Sequence, residues 1–117
     1  MATKQATAIN AAHYTFRVAW SPEDEEFVAT CLELPSLSWL ARDPAKALIG
    51  LQKVAADVVA DMIASGEDVP EPLSERQYSG RFNVRMSPDL HRCLVVEATE
   101  RRMSLNRFVT ERLSSTH

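Results

Sequence analysis

Three polar side chains at alternate positions, Arg81, Asn83 and Arg85, carry the most specific chemistry this sequence offers. They belong to Gly80-Arg81-Phe82-Asn83-Val84-Arg85-Met86, where period-two alternation places them on one face of a strand and Phe82, Val84 and Met86 on the other. The forked donors and acceptors of Arg and Asn match the edges of guanine and adenine in a major groove. A lone strand is not stable, and the sequence offers no obvious partner strand nearby. Pairing with a second copy would give a two-stranded ribbon with both sets of polar side chains on one face, a reader of base edges in DNA.

Other residues would support such a reader. Ser104-Leu105-Asn106-Arg107 reads as a helix start, where free backbone N–H groups and the helix dipole favour a phosphate; N-capping by Ser104 is compatible with that role. Arg101 and Arg102 lie close by and add attraction for a polyanion. Phe82, Val84 and Met86 are expected to form a dimer core with Leu94, Phe108 and Val109 from the helices that follow. Elsewhere, the run Glu23-Asp24-Glu25-Glu26 invites a metal-site reading. Two-metal nucleases, however, need carboxylates that converge from separate elements, and consecutive residues on a turn point apart. The run therefore reads as a solvated turn, with electrostatic contact to a basic protein as its second role. His13 and His91 have no nucleophile nearby in sequence and are assigned no chemistry. No catalytic residue, metal or cofactor is expected, and the chain is read as not an enzyme.

The elements that must position these residues follow from pattern. Residues 14–20 alternate with aromatic and β-branched side chains, residues 21–25 form a turn, and residues 26–32 make a second strand, giving a hairpin. Residues 37–40 are a short third strand. Trp20 and Trp39 close apolar strands and are expected to anchor the core. Asp43 caps a helix with Pro44 at its first position, and Ala47, Leu48, Leu51, Val54, Ala55, Val58 and Met62 form one apolar stripe that can lie across the hairpin. Gly66 can close that helix in the left-handed conformation.

The fold class is accordingly α+β, in four parts: residues 1–12 a disordered lead-in, 13–66 a first domain, 67–78 a semi-stiff Pro-rich linker, and 79–115 one strand and two helices. The tail is too small to build a core alone, which again calls for dimerisation. Charge divides along the same line. Residues 1–74 hold 5 Lys/Arg against 11 Asp/Glu, and residues 75–117 hold 8 Arg against 5 Asp/Glu. A basic partner for the front and nucleic acid for the back are the matching expectations. Cys31 and Cys93 read as small buried hydrophobes in a reducing compartment, and the sequence carries neither a signal-peptide core nor a membrane-length apolar run, so a cytoplasmic protein is expected.

The Arg81-Phe82-Asn83-Val84-Arg85 strand, the Ser87-Pro88 helix start and the Ser104-Leu105-Asn106 start of the last helix together resemble the ribbon-helix-helix fold of the Arc and MetJ class of repressors. The front half, a hairpin followed by Glu33-Leu34-Pro35 and by Asp43-Pro44-Ala45-Lys46-Ala47-Leu48, is similar to the partial ribonuclease-H-like domain of the HicB antitoxins that carry such a tail. The resemblance implies an antitoxin whose front domain occludes a HicA-type, RNA-cleaving toxin and whose tail represses the shared operon by binding operator DNA. It further implies an intertwined homodimer, or a tetramer of two such dimers. Two positions depart from the pattern, which commonly has Gly in place of Ser36 and of Arg102. A non-Gly residue at positive φ costs about 1 kcal/mol, so the turn before Ser104 is expected to be built differently. The alternative reading is a stand-alone ribbon-helix-helix regulator whose front domain senses a small ligand or another protein.

Overall fold

The computed structural model describes residues 9–115. The chain divides into two compact units, Met1–Tyr78 and Ser79–His117, each described by itself.

In the first unit, β1 (Phe16–Ser21), β2 (Glu26–Cys31) and β3 (Ser38–Ala41) form an antiparallel sheet in the order β1-β2-β3. Register pairs Val18 with Ala29 and Ala29 with Trp39, so alternate residues Phe16, Val18, Phe27, Ala29, Cys31, Leu37 and Ala41 share one face. Helix α1 (Pro44–Ser65) covers that face with Ala47, Leu51, Ala55 and Val59. Of the stripe expected from sequence, Ala47, Leu51 and Ala55 are buried and Leu48, Val54, Val58 and Met62 half-buried, and Val59 joins the buried set. Asp43 Oδ1 accepts the Ala45 N–H at 2.8 Å, and Pro44 occupies the first turn. At the other end Gly66 is left-handed (φ 74°), its N–H donating to Ile63 and that of Glu67 to Met62 at 2.9 Å, which closes the last turn. Between β2 and β3, the Leu37 N–H reaches the Leu34 carbonyl at 3.1 Å without a left-handed residue at Ser36, so Gly is not needed there.

Several expectations are corrected. Trp20 and Trp39 are not core anchors, being 52% and 44% exposed. Trp20 instead meets Phe27 edge to face at 5.1 Å, and Trp39 lies against the bare backbone of Gly50, where an added Cβ would fall 2.1 Å from the indole nitrogen. Cys31 is buried as expected, but Cys93 is exposed. Of the lead-in, residues 1–8 lie outside the described residues, while Asn10 caps a short 3-10 turn (Ala11–His13) that buries Ala11. The linker assignment fails for residues 69–75, which pack onto the first unit. Val69 and Pro72 are buried, the Tyr14 hydroxyl donates to the Pro70 carbonyl at 2.7 Å, and the Leu73 N–H donates to Glu33 at 2.9 Å. Proline removes backbone donors but leaves apolar rings and free carbonyls, so such a segment can be bound by side chains where it could not join a ladder.

The second unit holds α2 (Pro88–Glu100) and α3 (Leu105–Ser114), which bury Ala98 and Phe108. Ser87 and Ser104 cap them, accepting the N–H groups of Leu90 at 3.2 Å and Arg107 at 3.1 Å. The turn between them is not built differently after all. Arg102 takes the left-handed conformation itself (φ 55°), its N–H donating to Thr99 and that of Met103 to Ala98 at 2.9 Å. This is the same closure that Gly66 gives α1, made with an arginine.

Candidate nucleic-acid interface

A side chain can read a base edge only if it is free to leave its own protein, and residues 81–86 are all exposed. They belong to neither helix nor strand, which corrects the expected strand for this chain taken singly. A strand is defined by its neighbour, and among the described residues the sheet is made by β1, β2 and β3 alone. Arg81, Asn83 and Arg85 alternate here with Phe82, Val84 and Met86, which are 75%, 63% and 39% exposed. Three large apolar side chains so open to water are a costly surface, and one that asks for cover.

The helices extend that apolar surface. Val84 and Met86 line a groove together with Leu94, Leu105 and Val109, and Arg85 and His91 also border it. A second hollow is lined by Arg81 and Phe82 and, on α3, by Asn106, Val109, Thr110 and Leu113, so this segment lies along the length of that helix. Of the six side chains expected in a dimer core, Phe82, Val84 and Met86 are exposed, Leu94 and Val109 are half-buried, and Phe108 is already buried in its own unit. The guanidinium carbons of Arg101 and Arg112 lie over the Phe108 ring, 5.5 and 5.8 Å from its centre.

At the start of α3, Ser104 Oγ satisfies the Arg107 amide, while Leu105 and Asn106 lie too early in the helix to have an intrahelical acceptor. Their N–H groups are the donors available to an anion. The Arg107 side chain turns to Glu111, Nε to Oε1 at 3.5 Å, in an exposed pair worth little to stability.

In the first unit, Glu23, Asp24 and Glu25 occupy the β1–β2 turn, and Glu26 is the first residue of β2, paired with Ser21. Ser21 Oγ donates to Asp24 at 2.9 Å, and Glu25 is left-handed (φ 52°). Among the described residues no three His, Cys, Asp or Glu side chains are grouped so as to hold a metal ion, and no helix is long and apolar enough to cross a membrane.

Among the described residues, the carboxylate with the densest set of partners is Glu33, which pattern reading passed over. Its Oε1 accepts the Thr15 N–H at 2.8 Å and faces Cys31 Sγ at 3.6 Å; its Oε2 accepts the Thr15 hydroxyl at 3.0 Å and the Leu73 N–H at 2.9 Å. Burial pushes this carboxyl up, but the amides of Leu73 and Thr15 outweigh it and leave the group below the ordinary glutamate value. Beside it, burial first and then the Cys31 and Glu33 charges push the Tyr14 phenol up to about 12. The sequence signal was faint: an acid at the end of an apolar strand, just before Leu34-Pro35.

A family model described as HicB family matches residues 64–113, from the last turn of α1 into the end of α3 and under half of the chain. No curated protein and no solved structure matches.

Proposed function

We propose that the protein is an antitoxin of the HicB kind, not an enzyme, whose second unit represses its own operon and whose first unit neutralises a small basic toxin of the HicA kind. The likeness to the HicB family carries this reading, because it runs through residues 80–86 and both helices that follow. The exposed apolar face of Phe82, Val84 and Met86 supports the dimeric part. Two copies would pair these segments as a ribbon, cover that face together with the α2–α3 groove, and turn Arg81, Asn83 and Arg85 toward base edges while the Leu105 and Asn106 amides take a phosphate. The acidic β1–β2 turn is the surface assigned to toxin contact. A tetramer of two ribbon dimers is the larger assembly this arrangement permits.

The test has two arms. In gel-shift titrations on the DNA upstream of its own gene, Arg81→Ala and Asn83→Ala are expected to lower affinity at least about fivefold, since each good bidentate contact contributes about 1–3 kcal/mol. Equal affinity for variant and wild type refutes base reading by this face. In the second arm, co-expression with the small basic protein encoded next to it should yield a co-purifying complex that survives both substitutions. Operator binding with no such partner would favour the stand-alone regulator instead.

A further inference from the structure

Helix α1 lays one face on the sheet and carries a second apolar face that the described residues leave open. Ile49 and Ile63 are 64% and 41% exposed, and Ala56 and Ala60 between them are exposed as well. At about 100° per residue these four and Gln52 fall within about 40° of the line through Ala56, whereas Leu51 of the core lies about 140° away. The four charged residues of α1, Lys46, Lys53, Asp57 and Asp61, all fall outside this stripe, so it is not an ordinary solvated face. Ile9 and Ala12 form the far wall of a hollow whose near wall is Gln52, Ala56, Ala60 and Ile63.

We propose that this face of α1 docks on the same face of a second copy of the chain, antiparallel, about a two-fold axis at Ala56. Size and charge both select a second copy as the occupant. Ile49 and Ile63 each stand seven residues from Ala56, and Gln52 and Ala60 each stand four. Reversing one copy about Ala56 therefore sets Ile49 beside Ile63 of the second copy and Gln52 beside its Ala60, each contact made twice, as an isologous interface requires. The small side chains at the centre let the two helix axes approach to the short end of the usual range of about 8–10 Å. Lys53 and Asp57 border the stripe on the same flank. In the reversed copy Asp57 stands only about 3 Å along the axis from level with Lys53, so two Lys–Asp pairs form across the seam. The acidic excess of residues 1–74, 11 Asp/Glu against 5 Lys/Arg, is carried elsewhere and does not oppose the contact there. With so few residues a side, the seam falls short of a standard interface of about 20–30, which makes it a weak, reversible contact. It is separate from the ribbon pairing proposed above and independent of what either unit binds.

Disulfide trapping on the full chain tests it, because a weak contact can be captured covalently where its equilibrium population is small. Cys93 is exposed and is first replaced, Cys93→Ser, while Cys31 is buried and stays. In that background Ala56→Cys should cross-link to a second copy under mild oxidation at least tenfold faster than Asp61→Cys, which is also exposed on α1 but about 140° round the helix. Register is read by mixing two single variants, Ile49→Cys and Ile63→Cys: the mixed product should predominate over either self-linked one. Adding Lys53→Asp to Ala56→Cys should slow its cross-linking several-fold, and adding Asp57→Lys as well should restore it. Equal rates for Ala56→Cys and Asp61→Cys overturn the proposal and leave the groove to another occupant. Self-linked Ile49 or Ile63 products as abundant as the mixed one overturn the antiparallel register. Ribbon pairing in the second unit would bring chains together without favouring Ala56 over Asp61, so loss of that pairing and loss of this seam give different results.

Discussion

Glu33 accepts the backbone N–H of Leu73 at 2.9 Å across a sequence separation of 40 residues. Because this carboxyl sits below the ordinary glutamate value in the folded protein, its contribution to stability is complete above the unfolded value, near pH 4.3, and is lost as pH falls through the folded value. Urea denaturation should show Glu33→Gln less stable than wild type at neutral pH by about 1–3 kcal/mol, the range for hydrogen bonds to a charged group. The gap should narrow steadily below about pH 4.

Tyr14 gives the opposite dependence. Its phenol is raised to about 12 from the ordinary 10.0, so the folded state keeps the proton that the unfolded state gives up. Stability from this group is full below pH 10.0 and falls as pH rises toward about 12. Tyr14→Phe should lose roughly 1 kcal/mol at neutral pH with the bond to Pro70, yet show a shallower decline in alkali than wild type. Chemical denaturation at neutral and alkaline pH measures both.

Gly50 lies inside α1, where alanine would ordinarily gain about 1 kcal/mol in helix propensity. Here the added Cβ would fall 2.1 Å from the Trp39 indole nitrogen, so the ring must leave its seat. Gly50→Ala is expected to destabilise the unit by roughly 1–3 kcal/mol, as overpacking does, and to shift Trp39 emission to the red. A rise in melting temperature with unchanged emission would refute that contact.

Arg102 stands at φ 55° in a closure where glycine carries no Cβ penalty. Arg102→Gly should therefore raise stability by up to about 1 kcal/mol, seen as a higher thermal midpoint at the same chain concentration.

What could be read from the sequence was what neighbours in sequence decide. The α1 stripe, the Asp43 and Ser104 caps, the Ser87-Pro88 helix start and the Gly66 closure each depend on residues within a few positions, and each is found where pattern placed it. What could not be read was set by distant partners. Glu33 finds Thr15 and Leu73 at separations of 18 and 40, and the Pro-rich stretch that looked like a tether is bound for that reason. Trp39 is half-exposed because a glycine on another element leaves room for it at the surface. Arg102 shows local propensity overruled, since the two backbone bonds that end α2 fix its φ whatever its side chain prefers. For residues 81–86 the pattern marks the polar and apolar faces, while a strand there needs a neighbouring strand that the other described residues do not supply.

The two arginines over Phe108 bear on how many counterions a polyanion can release from this tail. Residues 75–117 carry 8 arginines, but Arg101 and Arg112 lie over one aromatic ring, Arg107 is turned to Glu111 and Arg92 to Asp89. The logarithm of an affinity for duplex DNA falls with the logarithm of salt by about 0.9 for each phosphate neutralised. Per chain, that slope should follow the smaller set of uncommitted guanidiniums, and Phe108→Leu, by freeing two of them, would steepen it.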